Sequence, residues 1–251
     1  TLDDKYEQEQ GRVFMTGMQA LVRLPMLQRQ RDVAAGLNTA GFISGYRGSP
    51  LGGYDAALWS AQRFLSRSHI KIQPGLNEDL AVTAVWGTQQ VNLWSGGKYD
   101  GVFGIWYGKG PGVDRSGDAI KHLNYDGTSQ YGGVLLVAGD DHGAKSSTLP
   151  HQSEPAFMAA GVPVFHPAGV QEYLDLGLHG FAMSRFSGCA VGFKAVGETV
   201  ESSASVNIDP EAVQIAKQID FHMPDGGLNL RYPDGVMEKE SRLLEHKLPA
   251  A

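Results

Sequence analysis

Six short apolar runs, separated by helical patterns, constrain this chain more than any other feature. They read AGFISGY (40–46), IKIQ (70–73), GVFGIWYG (101–108), GGVLLVAGD (132–140), VPVFHP (162–167) and CAVGFKAV (189–196). Most are continuous rather than alternating, the pattern of strands covered on both faces. Helical periodicity fills 53–66, 78–94, 112–123, 147–160 and 170–185, and the stretch 11–37 reads as mostly helical with Pro25 as a kink or break. Strands alternating with helices predict an α/β fold, a parallel six-stranded sheet with helices on both faces. With 251 residues the chain can hold a domain of about 200 residues plus an appendage. Near residue 200 the character changes. Residues 207–251 carry two Pro-Asp turns and a charged helix at 237–247, and they lack an apolar stripe that would complete the sheet. The reading is a domain over 1–206 and an extended arm, 207–251, toward a following domain or partner.

Bulk properties remove several function classes. A net charge of -6 argues against a nucleic-acid or anionic-membrane surface, since no basic stripe exists to hold either. No apolar run reaches about 18 residues, so no membrane span is expected, and the acidic start TLDDKYEQEQ is not a signal peptide. The one cysteine, Cys189, excludes an internal disulfide framework and any four-cysteine zinc or iron–sulfur site within this chain, and fits a reducing cytoplasm. Glycines are frequent and cluster at the ends of the apolar runs, where an α/β protein places its ligand loops.

Four such loops stand out: GYRGSPLGG (45–53), QPGLNED (73–79), YGKGPGVDRSGD (107–118) and GDDHGAKSSTLPHQSE (139–154). Each sets glycine beside polar groups, which lets backbone approach a ligand closely. Sharper motifs fail. GKGPG (108–112) is not a G-x-G-x-x-G dinucleotide loop, and no G-x-S-x-G elbow exists. GDDHGAKS (139–146) narrowly misses a P-loop, with Ala144 where glycine is required and Asp140 and Asp141 facing any polyphosphate with like charge. A nucleotide binder using 139–146 is therefore an alternative reading, as is a non-catalytic α/β subunit whose loops bind a partner. Asp140, Asp141, His142 and His151 could hold a metal in principle, but their spacing specifies no geometry; loop hydrogen bonding is the expectation and no metal is assigned. His122 and His179 read as solvent-facing or capping. In the helix from 78, apolar Leu80, Ala81, Ala84, Val85 and Val91 mark one buried face, with Asn77 as N-cap. Glu78 then stands in the first turn, where an acid complements the helix dipole.

Taken together and in order, QALVRLPMLQRQRDVAAGLNTAGFISGYRGSPLGG, QPGLNEDLAVTAVWGTQQVNLW, YDGVFGIWYGKGPGVDRSGDAIKH, GDDHGAKSSTLPHQSE, HPAGVQEYLDLGLHGFAMSR and ETVESSAS resemble a known family. It is the pyrimidine-binding (PYR) domain of thiamine-diphosphate-dependent 2-oxoacid:ferredoxin oxidoreductases, in its bacterial fused, indolepyruvate-type branch. Where the wider family reads Y-P-G-T-P, this chain has Arg47 for the proline and Ser49 for the threonine, as that branch does; where the family often has D-D-P-G, it has Asp140-Asp141-His142-Gly143. The resemblance covers roughly residues 11 to 206. It implies that Glu78 faces N1′ of the cofactor's aminopyrimidine and favours the imino tautomer that deprotonates C2. It also implies that Gly48, Ser49, Pro50 and Asn77 border the cofactor, and that Ser49 with neighbouring backbone holds the 2-oxoacid carboxylate. Arg47 is a further carboxylate partner through its planar fork, or pairs instead with Asp55 or another acid. Lys109, Lys145 and Ser146 would line the substrate pocket or a partner surface.

The implied reaction is oxidative decarboxylation of aryl or branched 2-oxoacids to acyl-CoA, with coenzyme A as acyl acceptor and electrons passing through iron–sulfur clusters to ferredoxin. Mg²⁺ and diphosphate ligands need a second domain with a G-D-G…N-type motif, which is absent, and clusters need cysteines, also absent. This chain alone is then inactive, half of a site, and a homodimer or pairing with another chain is expected.

Overall fold

The computed structural model describes residues 1–216, 220–232 and 234–251. Its strands are β1 (Gly11–Thr16), β2 (Thr39–Gly45), β3 (Ile70–Ile72), β4 (Gly101–Lys109), β5 (Val134–Asp140), β6 (Val164–Phe165), β7 (Val191–Val196) and β8 (Ser203–Ile208). Strands β2 to β7 are the six expected runs, and they pair in parallel in the order β3-β2-β4-β5-β7-β6. Side-chain alternation explains why the runs read as continuously apolar. Along β4 and β5, Phe103, Ile105, Tyr107, Leu135 and Val137 enter one core, while Trp106, Val134, Leu136 and Ala138 enter the other. The helices Gly17–Ala34 and Val170–Ser187 cover the first face; Glu78–Gln89, Gly117–Asp126 and Glu154–Ala159 cover the second. No helix among the described residues is long and apolar enough to cross a membrane.

The expected helical stretch 11–37 divides in two. Residues 11–16 are β1, paired antiparallel with β8 in a separate two-stranded ribbon. Val13 and Met15 are buried while Arg12 and Phe14 are exposed, a period of two that a helical pattern cannot give. Thr16 then starts the helix through a reciprocal capping box with Gln19. Pro25 neither kinks the chain out of the helix nor ends it: Gly17–Ala34 runs through it. Proline removes the bond to the carbonyl four residues back, and that carbonyl, Leu21 O, accepts instead from the buried Tyr54 hydroxyl at 3.2 Å.

Two further expectations shift. The helix expected over 147–160 begins only at Glu154: Asp141 folds 141–146 into a turn by accepting from the Lys145 and Ser146 amides, and the chain then runs without helix to Ser153, which Asp140 holds by accepting from its amide and hydroxyl. The charged helix expected at 237–247 spans Val236–Arg242 and continues through a π-turn, Leu243–Lys247, to Ala250. It does not wrap away from the domain. Leu228 and Leu243 are buried, and the Lys247 ammonium donates to Tyr125 O at 3.0 Å and Asn124 O at 3.4 Å, closing the carboxyl end of the helix Gly117–Asp126. Anchors this far apart leave no apolar stripe to read. Residues 217–219 and 233 of that segment lie outside the described residues.

Candidate active site

Parallel pairing brings the post-strand loops to one edge of the sheet. Gly45 stands opposite Tyr107, Lys109 opposite Gly139, and Asp140 opposite Val196. The chain after β3 follows along, with Gly75 N donating to Gly45 O at 2.9 Å. The carboxyl ends of the strands thus collect the four glycine-rich loops, the place where open α/β sheets bind ligands.

Glu78 opens the helix Glu78–Gln89 but does not cap it. Asn77 Oδ1 accepts from Leu80 N at 2.8 Å and performs that task. The buried Trp106 donates from its indole to Glu78 O at 2.9 Å, which pins the first turn to β4. This pin also sets the helix phase: Ala81, Val82, Val85 and Gln89 are buried, whereas Leu80, expected on the buried face, is 50% exposed. The Glu78 side chain is half-buried and lies against two glycines. A Cβ placed on Gly112 would stand 2.6 Å from Glu78 Cγ, and one on Gly108 3.3 Å from it. Among the described residues its carboxyl has no hydrogen bond and no ion pair.

On the other side of the same turn, Lys109 leans across Gly48 and reaches Ser147 Oγ at 3.3 Å. Ser49 and Pro50, with Lys145 and Ser146, line a cavity of about 200 Å³ whose other walls include Asp140, Asp141, Glu198 and Glu201. Glu78 is not among the residues of that cavity. The expected site residues therefore form two groups, Asn77 with Glu78, and Gly48, Ser49 and Pro50 with Lys109, Lys145 and Ser146, joined by residues 108–112. The cavity is acidic. Lys145 pairs with Glu198 at 3.5 Å, and the Ser146 and Lys145 amides hold the Asp141 carboxyl below its usual range. Those amides are the donors a phosphate would require of a P-loop, so the nucleotide reading of 139–146 finds its cradle already filled by Asp141. Arg47 does not pair with Asp55, whose carboxylate accepts the Tyr107 hydroxyl instead. Arg47 is exposed and has no partner among the described residues.

Sequence reasoning missed a buried ionic cluster under the cavity. Asp140 is fully buried, accepts from Ser153 N at 2.8 Å and Ser153 Oγ at 2.6 Å, and pairs with the buried Lys194 at 3.3 Å. Lys194 also donates to Glu154; burial is the largest influence and works to raise the Glu154 pKa, but the bond from Lys194, the backbone amide of Glu154 and the Lys194 charge together outweigh it, and the net shift is downward. His151 packs against Gly110 and donates from Nε2 to Asp114 Oδ2 at 2.7 Å, leaving Nδ1 3.7 Å from Asp140 without a hydrogen bond. The available signal was Lys194 itself, a lone cation inside the apolar run CAVGFKAV, since lysine is almost never fully buried unless paired.

No family model and no curated protein matches the chain. Among solved structures it is similar to a 2-oxoglutarate:ferredoxin oxidoreductase from Magnetococcus marinus with 2-oxoglutarate, coenzyme A and succinyl-CoA bound, with a TM-score of 0.66 and 14% identity. The match covers 95% of this chain and 44% of that one, so the chain spans less than half the length of that neighbour. At this identity the likeness is one of fold: α/β, with helices packed around a parallel six-stranded sheet.

Proposed function

We propose that the chain is the pyrimidine-binding half of a thiamine-diphosphate-dependent 2-oxoacid:ferredoxin oxidoreductase that acts on aryl or branched 2-oxoacids of the indolepyruvate type. The observation that carries this reading is the Glu78 carboxyl: half-buried at a helix start, relieved of capping by Asn77, and without a partner of its own. A carboxyl in that state fits a ligand nitrogen such as N1′ of an aminopyrimidine, and the glycine berth beside it brings no competing donor. Thiamine diphosphate, when bound, supplies the carbon nucleophile for a 2-oxo carbon. Glu78 holds the proton shared with N1′ and so selects the ring tautomer. Trp106 fixes the Glu78 backbone, and Gly48, Ser49 and Pro50 border the ligand. Arg47 and Lys109 are the cations available to a substrate carboxylate; Lys145 is engaged by Glu198 and serves with Ser146 as wall. Mg²⁺ and diphosphate ligands, iron–sulfur clusters, coenzyme A and ferredoxin sites belong to other domains, and pairing of two copies or two chains completes the site. The fold likeness to a 2-oxoglutarate:ferredoxin oxidoreductase supports the reaction class. The aryl or branched substrate rests on the sequence resemblance, Arg47 and Ser49 above all.

The test is exchange of the C2 proton of bound cofactor, followed by NMR in the complete enzyme. General acid–base contributions of about 10² to 10⁴-fold predict a loss of at least ~100-fold in Glu78→Gln. Folding should change by less than ~1 kcal/mol, the worth of an acid in a helix first turn. Equal exchange in the two proteins would leave Glu78 as a dipole-complementing acid and remove the proposal.

A further inference from the structure

We infer that Gly112, assisted by Gly108, sets where the Glu78 carboxyl stands, which makes the GKGPG turn a positioning element of the proposed site; the inference rests on the reading of Glu78 given above. A Cβ on Gly112 would lie 2.6 Å from Glu78 Cγ, 2.9 Å from Oε1 and 3.1 Å from Cδ. Gly112 sits within the helix Gly110–Arg115 and is not among the residues with positive φ, so its backbone is open to any residue. What the position needs is the missing side chain, not conformational freedom. Glycine inside a helix costs about 1 kcal/mol relative to alanine, and nothing in the local backbone returns that cost. The space it leaves goes to Glu78.

The way the clash would be relieved decides the consequence. The three atoms nearest to a Gly112 Cβ all belong to the Glu78 side chain. The backbone below them is held twice, by Trp106 on Glu78 O at 2.9 Å and by the Asn77 cap at 2.8 Å. The helix start therefore stays and the side chain turns to another rotamer, carrying the carboxyl away from its berth. Gly108 closes the second side, where a Cβ would approach Glu78 Cγ at 3.3 Å and the Trp106 ring at 2.8 Å. Gly110 between them serves His151 instead, whose Nδ1 would be 2.0 Å from a Cβ there. One turn thus separates two titratable side chains and gives each a glycine to rest on.

The experiment compares Gly112→Ala, Glu78→Gln, Glu78→Ala and the double variant Gly112→Ala with Glu78→Ala. A crystal structure of the 251-residue chain carrying Gly112→Ala should show the Glu78 carboxyl in a new rotamer over an unchanged helix start. In the complete enzyme the same substitution should slow C2-proton exchange by about 10²-fold, the scale of a misplacement near 1 Å. The double variant folds at least as well as Glu78→Ala alone, because the atoms that would clash are gone; if it does not, the space was never Glu78's and the inference falls. An unmoved carboxyl, or unchanged exchange in Gly112→Ala while Glu78→Gln loses it, overturns the positioning role and leaves the function standing. Exchange unaffected by Glu78→Gln overturns the function, and the positioning role with it.

Discussion

The two edges of the same sheet treat polar groups in opposite ways. At the amino edge, Asp32 receives Arg185 at 2.6 and 2.8 Å, Gln28 at 2.8 Å and Thr39 at 2.6 Å. Nearby, Gln89 Oε1 accepts from the Ser129 and Gly133 amides, both at 3.1 Å, and Ser184 Oγ bridges Val134 N and Cys189 O. Each of these atoms is spent on the fold; of their neighbours, Gln30 Oε1 and Trp86 Nε1 are buried without a hydrogen bond, so the contrast is one of the central clusters and not of every atom. At the carboxyl edge Glu78 and Arg47 have no partner among the described residues, and the buried His151 Nδ1 and Glu154 Oε2 go without a hydrogen bond. Each buried unsatisfied group costs about 1–3 kcal/mol. One edge stabilises the domain; the other keeps donors and acceptors open at some cost to it.

The largest expected effect that could break this contrast is at the amino edge. Asp32→Ala leaves Arg185 mostly buried and uncompensated, so urea unfolding should show a loss of about 3–5 kcal/mol. A loss below ~1 kcal/mol would mean that the saturated edge does not carry stability. A smaller, pH-dependent effect belongs to Lys247, whose pKa burial lowers from 10.5 to about 8. Above about pH 8 the unfolded chain keeps a proton that the folded chain releases, so folding stability should rise with pH, by at most ~1.4 kcal/mol per unit. The clean window is pH 8 to 9, since burial raises Cys189 from 9.0 to about 11 and stability gained from it is lost above 9. Urea titrations at the two ends of that window should show the rise in the wild type and not in Lys247→Met; matching slopes would refute a buried, charge-strained lysine. The smallest effect is expected at the open edge, where Arg47→Ala should move the unfolding free energy by no more than ~0.5 kcal/mol. A substantially larger loss would show Arg47 to be structural.

The same contrast explains what could be read beforehand. Strands β2, β4, β5 and β7 were legible because burial on both faces writes itself as unbroken apolar runs; the edge strands β3 and β6, less buried, were legible as shorter runs between helices, and the order of runs and helices leaves few topologies. The ribbon was not, since β1 is six residues of alternation followed at once by a helix, and β8 is the polar SASVNI with only Val206 and Ile208 buried. The candidate site was legible as loops and not as contacts. Glu78 was visible as an acid at a helix start, but its lack of a partner and its glycine berth depend on residues 30 and 34 positions later. Asp140, His151 and Glu154 all lie in the loop 139–154, but Lys194 enters from β7, 40 positions after Glu154, and no local pattern announces that they meet.

The ribbon has a consequence for how this chain comes into being. Thr16 pairs with Ser203, and Gly11 with Ile208, so β1 has no partner until nearly the whole domain exists. At about 5–20 residues per second of synthesis, the 187 positions from Thr16 to Ser203 take roughly ten to forty seconds to emerge. Through that interval β1 waits at the ribosome without its ribbon partner, and Arg12 and the exposed Phe14 face the surroundings. Closing so long a loop costs entropy that only the completed sheet offsets, which makes the ribbon a late seal. β1 precedes the other seven strands in sequence and is then the last of them to be secured.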